Sequence, residues 1–268
     1  MTFIKAILLA SAIIIGQQGQ GQQGKTSLES ELEKIAAIYS SCSYGNYESC
    51  IKAFSMLQKL RNDGDSYGVR AIRKNKRALE KSLSEIINRI DEEIAERGYE
   101  FDSKLFFPLK NVKLSDIGLG GFVARNYDWL EGSFYKGHPA YDIFVYDRNR
   151  DSLDDRTKKP IKIFAAADGI IVSVFDEWEK SGKGNGGNYI YLYNSKLKYF
   201  FYYAHLGKIF VKEGDFVRGG DVIAYLGRTG RAAERPTHLH FAIYYFDKAK
   251  QNLVPVDWIK ERLFDLHL

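Results

Sequence analysis

The sequence predicts an α+β chain: an N-terminal helical segment followed by a mainly antiparallel β-domain. Three observations carry that expectation. Residues 27–97 keep apolar side chains at helical spacing. The 18 Tyr and 17 Phe concentrate after residue 100, as strand-rich segments do. Past Phe101 the apolar runs become short and alternating, and Gly, Asn and Asp punctuate them, so strands joined by turns rather than by helices are expected. The expected divisions are residues 1–24, 25–100 and 101–268.

The first division begins with Lys5 and a short apolar stretch, Ala6 to Gly16, followed by a Gln/Gly run to Gly24. A basic start, an apolar core and a small-residue boundary read as a secretory signal peptide with a flexible spacer. The stretch is too short to span a bilayer, which takes about 20 residues. The mature chain is therefore expected to be exported without a transmembrane span. In the second division, Thr26-Ser27-Leu28-Glu29 has the form of a capping box, and Leu28, Leu32, Ile35 and Tyr39 follow at helical spacing. A second helix carries Ile51, Phe54 and Leu57. A third carries Ile72, Leu79, Leu83, Ile86, Ile90 and Ile94 near a heptad seam. The favoured reading is a helical hairpin or three-helix unit packed on itself. The sharper one is a segment that docks a protein partner or covers a groove. Export favours a disulfide between Cys42 and Cys50 over two free thiols.

The third division offers candidate strands at 141–146, 161–165, 169–175, 188–193, 200–205, 221–226 and 240–246. Formal charge is only +5, with 45% hydrophobic and 27% charged residues, so the chain is a folded protein without a dense basic patch for nucleic acid. The stretch Gly182 to Gly187 lacks phosphate-loop spacing and reads as hairpin geometry, as does Gly227-Arg-Thr-Gly230. Asp147-Arg-Asn149-Arg-Asp151 begins like a calcium loop. However, Ser152 stands at the Gly position and Lys158 where a bidentate Glu belongs, which favours a solvated loop. Val211–Ile223 has the look of a carrier-domain hairpin, yet no Lys sits at a suitable turn tip.

Four of the five histidines form a spaced set: His138-x-x-x-Asp142, His205 in Tyr-Tyr-Ala-His-Leu, and His238-Leu-His240; His267 lies apart near the end. Any one alone reads as packing or surface. Along a strand, side chains two and four apart share a face, so His238 with His240, and His138 with Asp142, are expected to converge. Two imidazoles and a carboxylate make a zinc shell with an open fourth position. No His-Glu-x-x-His stretch is present, so proton handling falls to the remaining histidines.

Those residues carry a resemblance. His138-Pro-Ala-Tyr-Asp142, Ala167-Asp168-Gly169, Gly187-Asn188-Tyr189-Ile190, Tyr203-Ala204-His205-Leu206, Val211 to Ile223, Gly227-Arg-Thr-Gly230 and His238-Leu-His240-Phe241 stand in order. Together, over roughly residues 120–260, they resemble the M23 metallopeptidases, the LytM/lysostaphin-type peptidoglycan endopeptidases. The resemblance implies a small antiparallel β-domain with a groove, zinc held by His138, Asp142 and His240, and His205 and His238 as the catalytic pair. It implies an exported zinc metalloendopeptidase of the periplasm, cell envelope or exterior that cuts peptidoglycan peptides with metal-activated water. The alternative is a silent or autoinhibited LytM-like regulator that binds wall material or activates another hydrolase. Such relatives lack one or more of the five residues, and all five stand here. Two positions depart from the pattern: Ala140 replaces a usual Gly, and Ala242 a frequent Glu.

Overall fold

The computed structural model describes residues 46–62, 72–125, 127–132, 137–182 and 184–265, with Glu33, Ala36, Ala37, Ser40, Ser41 and Cys42 before them. The expected signal peptide, the capping box, the first apolar seam (Leu28, Leu32, Ile35, Tyr39) and His267 lie outside the described residues. Among the described residues no helix is long and apolar enough to cross a membrane.

Among the described residues, two long helices precede the sheet: α1, Tyr47–Asn62, and α2, Lys76–Glu96. A disulfide joins Cys42 to Cys50 in the first turns of α1. The third apolar seam is interrupted at Asn75, a turn residue between two helical stretches, so α2 is shorter than the periodicity suggests. Nine strands then form one sheet: β1 Tyr141–Phe144, β2 Lys162–Phe164, β3 Gly169–Phe175, β4 Asn188–Asn194, β5 Tyr199–Ile209, β6 Phe216–Val217, β7 Val222–Leu226, β8 His238–Asp247 and β9 Asn252–Val256. The main path is β1-β8-β5-β4-β3-β6, with β9 beside β8 and β7 linking β2 to β5. All the pairings are antiparallel. β6 and β9 are absent from the sequence expectation. β6 is two residues long, and β9 contains Pro255, a residue that argues against a strand unless it lies at an edge.

Alternation gives the sheet two apolar faces. Ile190 and Leu192 of β4, Phe201 and Tyr203 of β5, and Phe241 and Ile243 of β8 pack into one core with Trp258. Their neighbours Tyr189, Tyr191, Tyr193, Phe200, Tyr202, Tyr244 and Phe246 pack into the other. The second core is the one the helices share. Leu79, Leu83, Ile86, Ile87, Ile90 and Ile94 of α2 and Ile51, Phe54 and Leu57 of α1 all lie in it. Phe54 stacks on Phe200 at 5.3 Å and meets Tyr191 edge-on at 6.1 Å. Asp91 of α2 accepts hydrogen bonds from the Tyr193 hydroxyl at 2.7 Å and Lys198 Nζ at 2.6 Å. The two described helices pack on each other and also share a core with the sheet. Their seam is satisfied by the sheet's tyrosines, because a face of seven aromatic rings is apolar enough to take it, at about 2 kcal/mol per large side chain buried.

A polar clamp secures the entry to the sheet. The buried Asp168 carboxylate accepts the backbone N–H groups of Gly219 at 2.8 Å and Asp102 at 3.2 Å, and Arg218 Nη1 at 2.8 Å. Burial pushes this carboxyl up, but the two amides and the guanidinium outweigh it and hold it below the ordinary range. Asp168→Ala is expected to cost about 2 kcal/mol at neutral pH through the orphaned amides, measured by thermal or denaturant unfolding. With a depressed folded pKa, the contribution is full above the ordinary carboxylate pKa and fades as pH falls through the folded value, so the gap narrows below about pH 4. Equal stability of the two proteins at pH 7 would rule this clamp out.

Candidate metal centre

The helix-bearing face of the sheet also carries the histidines. In register, Asp142 of β1 stands opposite His240 of β8, Phe144 opposite His238, and His240 opposite Ala204 of β5. Strand alternation thus places Asp142, His238 and His240 on one face, with Leu239 between them in the opposite core. That part of the sequence expectation holds.

The other two histidines arrive by departures from alternation. An extended chain would separate His138 from Asp142 by about 13 Å, so strand geometry alone keeps them apart. Instead β1 starts only at Tyr141. His138 forms an isolated bridge with Val123, and the chain bends at Ala140, which is fully buried. The bend returns His138 Nε2 to within 3.3 Å of Asp142 Oδ1. His205 follows Ala204, so alternation alone would send it to the face opposite His240. Its backbone takes φ +64°, rare for a side-chain-bearing residue; the β4 pairing shifts register here, and on the other side the β8 pairing ends at Ala204 and the β7 pairing begins at Leu206. This bulge turns the imidazole to the His238 and His240 side, with ring centres 4.8 and 5.7 Å apart.

Four of the five side chains are graded in exposure: His138 33% and Asp142 28%, then His240 18%, and His238 only 3%. One donor atom each from His138, Asp142 and His240 lies within 4.8 Å of the others. The closest edges are 3.1 Å between His138 Nε2 and His240 Nδ1, 3.0 Å between His240 Nδ1 and Asp142 Oδ1, and 3.3 Å between His138 Nε2 and Asp142 Oδ1. Ligands held at about 2.0–2.1 Å around a tetrahedral zinc stand about 3.3 Å from one another, so the triangle fits that ion. The proton inventory points the same way. His138 Nδ1 bonds the Gly121 carbonyl at 2.7 Å, and a carbonyl can only accept, so Nδ1 carries the hydrogen and, in the neutral ring, Nε2 keeps a lone pair. Asp142 Oδ1 is an acceptor too. His240 Nδ1 can supply one hydrogen to one of them, and a cation satisfies all three.

The electrostatics couple the three groups. Burial pushes the Asp142 carboxyl up, but the adjoining His138 and His240 imidazoles hold it far below the usual range. Burial lowers His138, yet the Asp142 partner raises it overall. Burial keeps His240 low and pushes His205 down to about 3, with His240 and His238 adding to the effect at His205. His205 and His238 repeat the tautomer device: Nδ1 donates to the Thr229 carbonyl at 2.9 Å in one and to the Pro236 carbonyl at 2.7 Å in the other. Both are left with Nε2 free of hydrogen, and His238 Nε2 lies 3.8 Å from Asp142 Oδ1.

Three groups that matter here escape a sequence reading: the carbonyls of Gly121, Thr229 and Pro236. Any residue type supplies a carbonyl, so no residue identity could signal them. The two glycine stretches, read from sequence as mere turns, have a further role. Gly187 and Gly230 both take positive φ and lie back to back, and a Cβ on Gly187 would overlap Thr229 and Gly230. Their contact brings Thr229 against His205. Thr229 Oγ1 also accepts the Asn188 N–H and donates to the Leu206 carbonyl, each at 2.9 Å. In the loop after β1, Asp147 accepts the N–H groups of Asp151 and Ser152 and the Thr237 hydroxyl, so its carboxylate braces the chain leading into His238.

The described residues thus gather a His-Asp-His donor triangle and two further histidines on a mainly antiparallel sheet. Residues 149–255 match the model of Peptidase family M23. The matched stretch contains His205, His238 and His240 and begins beyond His138 and Asp142. Among solved structures, lysostaphin from Staphylococcus simulans is 25% identical at a TM-score of 0.34, covering 48% of this chain and 44% of its own. Its catalytic domain is 22% identical at 0.34, covering 62% and 92%. A zinc-containing peptidase from Vibrio cholerae is 23% identical at 0.37, covering 59% and 39%. This chain spans under half the length of full-length lysostaphin. No curated protein sequence matches the chain.

Thr229→Val keeps the shape and removes the hydroxyl, leaving the Asn188 N–H and Leu206 carbonyl short of a partner. A loss of about 1–3 kcal/mol in unfolding free energy is expected, and a variant as stable as wild type would show that Thr229 is not holding the His205 strand.

Proposed function

We propose that the chain is an exported zinc metalloendopeptidase that hydrolyses peptide bonds of peptidoglycan stems or cross-links. The observation that carries this reading is the His138-Asp142-His240 triangle, with edges of 3.0–3.3 Å, beside two histidines that are not part of it. His138, Asp142 and His240 would hold the ion. When bound, zinc supplies Lewis acidity to water and to the scissile carbonyl. His205 and His238 handle protons. Each is fixed by its Nδ1–H bond to a carbonyl, so each presents Nε2 as a base towards water and, once protonated, as a donor to the oxyanion or the leaving amine. Desolvation keeps His205 neutral at rest, so its Nε2 carries a lone pair rather than a proton.

A second reading, an autoinhibited enzyme or a regulator of another wall hydrolase, has one observation in its favour. The sheet face next to His240 is covered: Tyr202 is 7% exposed, Tyr244 2%, and Ala204 and Ala242 are fully buried. The N-terminal helices contribute to that cover and would be the site of any protein partner.

His138→Ala and Asp142→Asn are expected to lose zinc and the stabilisation zinc gives, about 2.7 kcal/mol at a hundredfold excess over Kd, read as the melting shift on adding zinc. His205→Ala is expected to keep zinc and lose about 10²–10⁴ in kcat, followed on defined muropeptides by mass analysis. Loss of zinc from His205→Ala would reverse the roles assigned here. Peptidoglycan clearing that persists after chelation would exclude a zinc enzyme, and zinc-loaded protein that never cleaves would favour the regulator.

A further inference from the structure

Asp142 and His240 are placed by strand pairing, but His138 belongs to no strand of the sheet. It closes a hairpin with Val123, the two residues exchanging backbone bonds of 2.8 and 2.9 Å. The Gly121–His138 bond lies within the same hairpin and so cannot fix it to the rest of the molecule. The near limb is anchored where Gly118 N–H meets the Asp142 carbonyl at 2.9 Å. Beyond Val123, the residues Tyr127, Asp128 and Trp129 are held from the helices and also from the sheet, with the Tyr127 and Tyr244 hydroxyls 3.4 Å apart and Asn252 Nδ2 donating to Asp128 at 3.1 Å.

The connections run side chain by side chain. Gly137 precedes His138 and lies on Tyr127; a Cβ there would come 2.9 Å from Tyr127 Cδ2. The Tyr127 hydroxyl accepts a hydrogen bond from Arg61 Nη2 at 2.5 Å. Arg61 Nε donates to the Trp129 carbonyl, and the guanidinium lies 5.1 Å from the Trp129 ring centre. Trp129 is fully buried and packs on Phe54 and Tyr191. At the start of α2, Lys76 Nζ bonds Asp128 at 2.6 Å. The last turn of α1 therefore grips this loop at Tyr127 and Trp129, and Lys76 of α2 holds it at Asp128 and Glu131.

We propose that Arg61 is a positioning residue for the metal centre: by fixing Tyr127 and Trp129 it holds the hairpin that presents His138, so the helical region is part of the metal-binding architecture. The proposal rests on reading His138, Asp142 and His240 as the zinc site. A ligand on an unanchored hairpin loses backbone freedom when the ion binds, and that loss is subtracted from affinity; an anchored ligand has lost it on folding. A planar guanidinium suits the task, because it donates to a carbonyl and a hydroxyl from one rigid fork while lying against an indole.

The test is the zinc dissociation constant of the full chain, from competition with a chromophoric chelator, together with the absorption spectrum of the cobalt(II) form. Arg61→Met is expected to raise the zinc Kd about 10- to 100-fold, as loss of an outer-shell support does, and to shift the cobalt bands. Arg61→Lys should fall between Arg61→Met and wild type. Tyr127→Phe removes one hydroxyl and should move both readouts the same way by less; it carries the test if Arg61→Met does not fold. Ile90→Ala, about 20 Å along α2 from Lys76, should lower the melting temperature and leave zinc affinity alone. Wild-type affinity and spectrum in folded Arg61→Met and Tyr127→Phe would overturn the proposal, and so would an equal loss of affinity in Ile90→Ala. A wild-type chain that binds no zinc would overturn the metal-centre reading itself.

Discussion

The row of pairings Asp142–His240–Ala204 across β1, β8 and β5 is the constraint on which the rest of the site depends. Antiparallel pairing with a period of two sets which side chains share a face, and a slip of one residue in β8 would send both of its histidines into the opposite core. The apolar partners enforce the register. Leu239, Phe241 and Ile243 must stay in the core with Trp258, while Ala242, Tyr244 and Phe246 face the helices. Hydrophobic burial on both faces thus holds the polar cluster in place, although no member of that cluster contributes to it.

Around that row the protein adds two local distortions and one repeated polar device. The bend at Ala140 and the bulge at His205 each bring in an imidazole that regular backbone would have sent elsewhere. Positive φ at a β-branched or bulky residue costs roughly 1–3 kcal/mol, and such costs are tolerated where the surroundings over-determine the conformation. Here the surroundings do so: His205 is flanked by the Gly187–Gly230 contact and bonded through Thr229. The device is an Nδ1–H donated to a backbone carbonyl, used by His138, His205 and His238. It fixes ring orientation and tautomer at once, and it leaves Nε2 as the reactive atom in all three.

The helices alter what a sheet of this kind presents to solvent. They complete the aromatic face beside the cluster, and through Arg61, Lys76 and Trp129 they reach the hairpin that ends in His138. A segment that could have been a spacer thus shares a core with the sheet, and the chain between Tyr47 and Glu96 cannot be treated as an appendage to it.

Much of this was legible in the amino-acid sequence. Helical and alternating periodicities located both helices and seven of the nine strands, since β6 was too short and β9 was disguised by Pro255. The spacing of His138, Asp142, His205, His238 and His240 marked out the cluster, because few arrangements other than a metal site gather two short-spaced His/Asp pairs and a third His. Periodicity is a one-dimensional property, however, and it follows from burial; it says nothing about where backbone breaks its own rule. That His138 joins Asp142 by a bend, that His205 crosses to the other face, that carbonyls choose the tautomers and that the helical seam rests on tyrosines were decided by tertiary structure. Each depends on groups distant in sequence meeting in space, and three of the partners are main-chain oxygens that every residue carries.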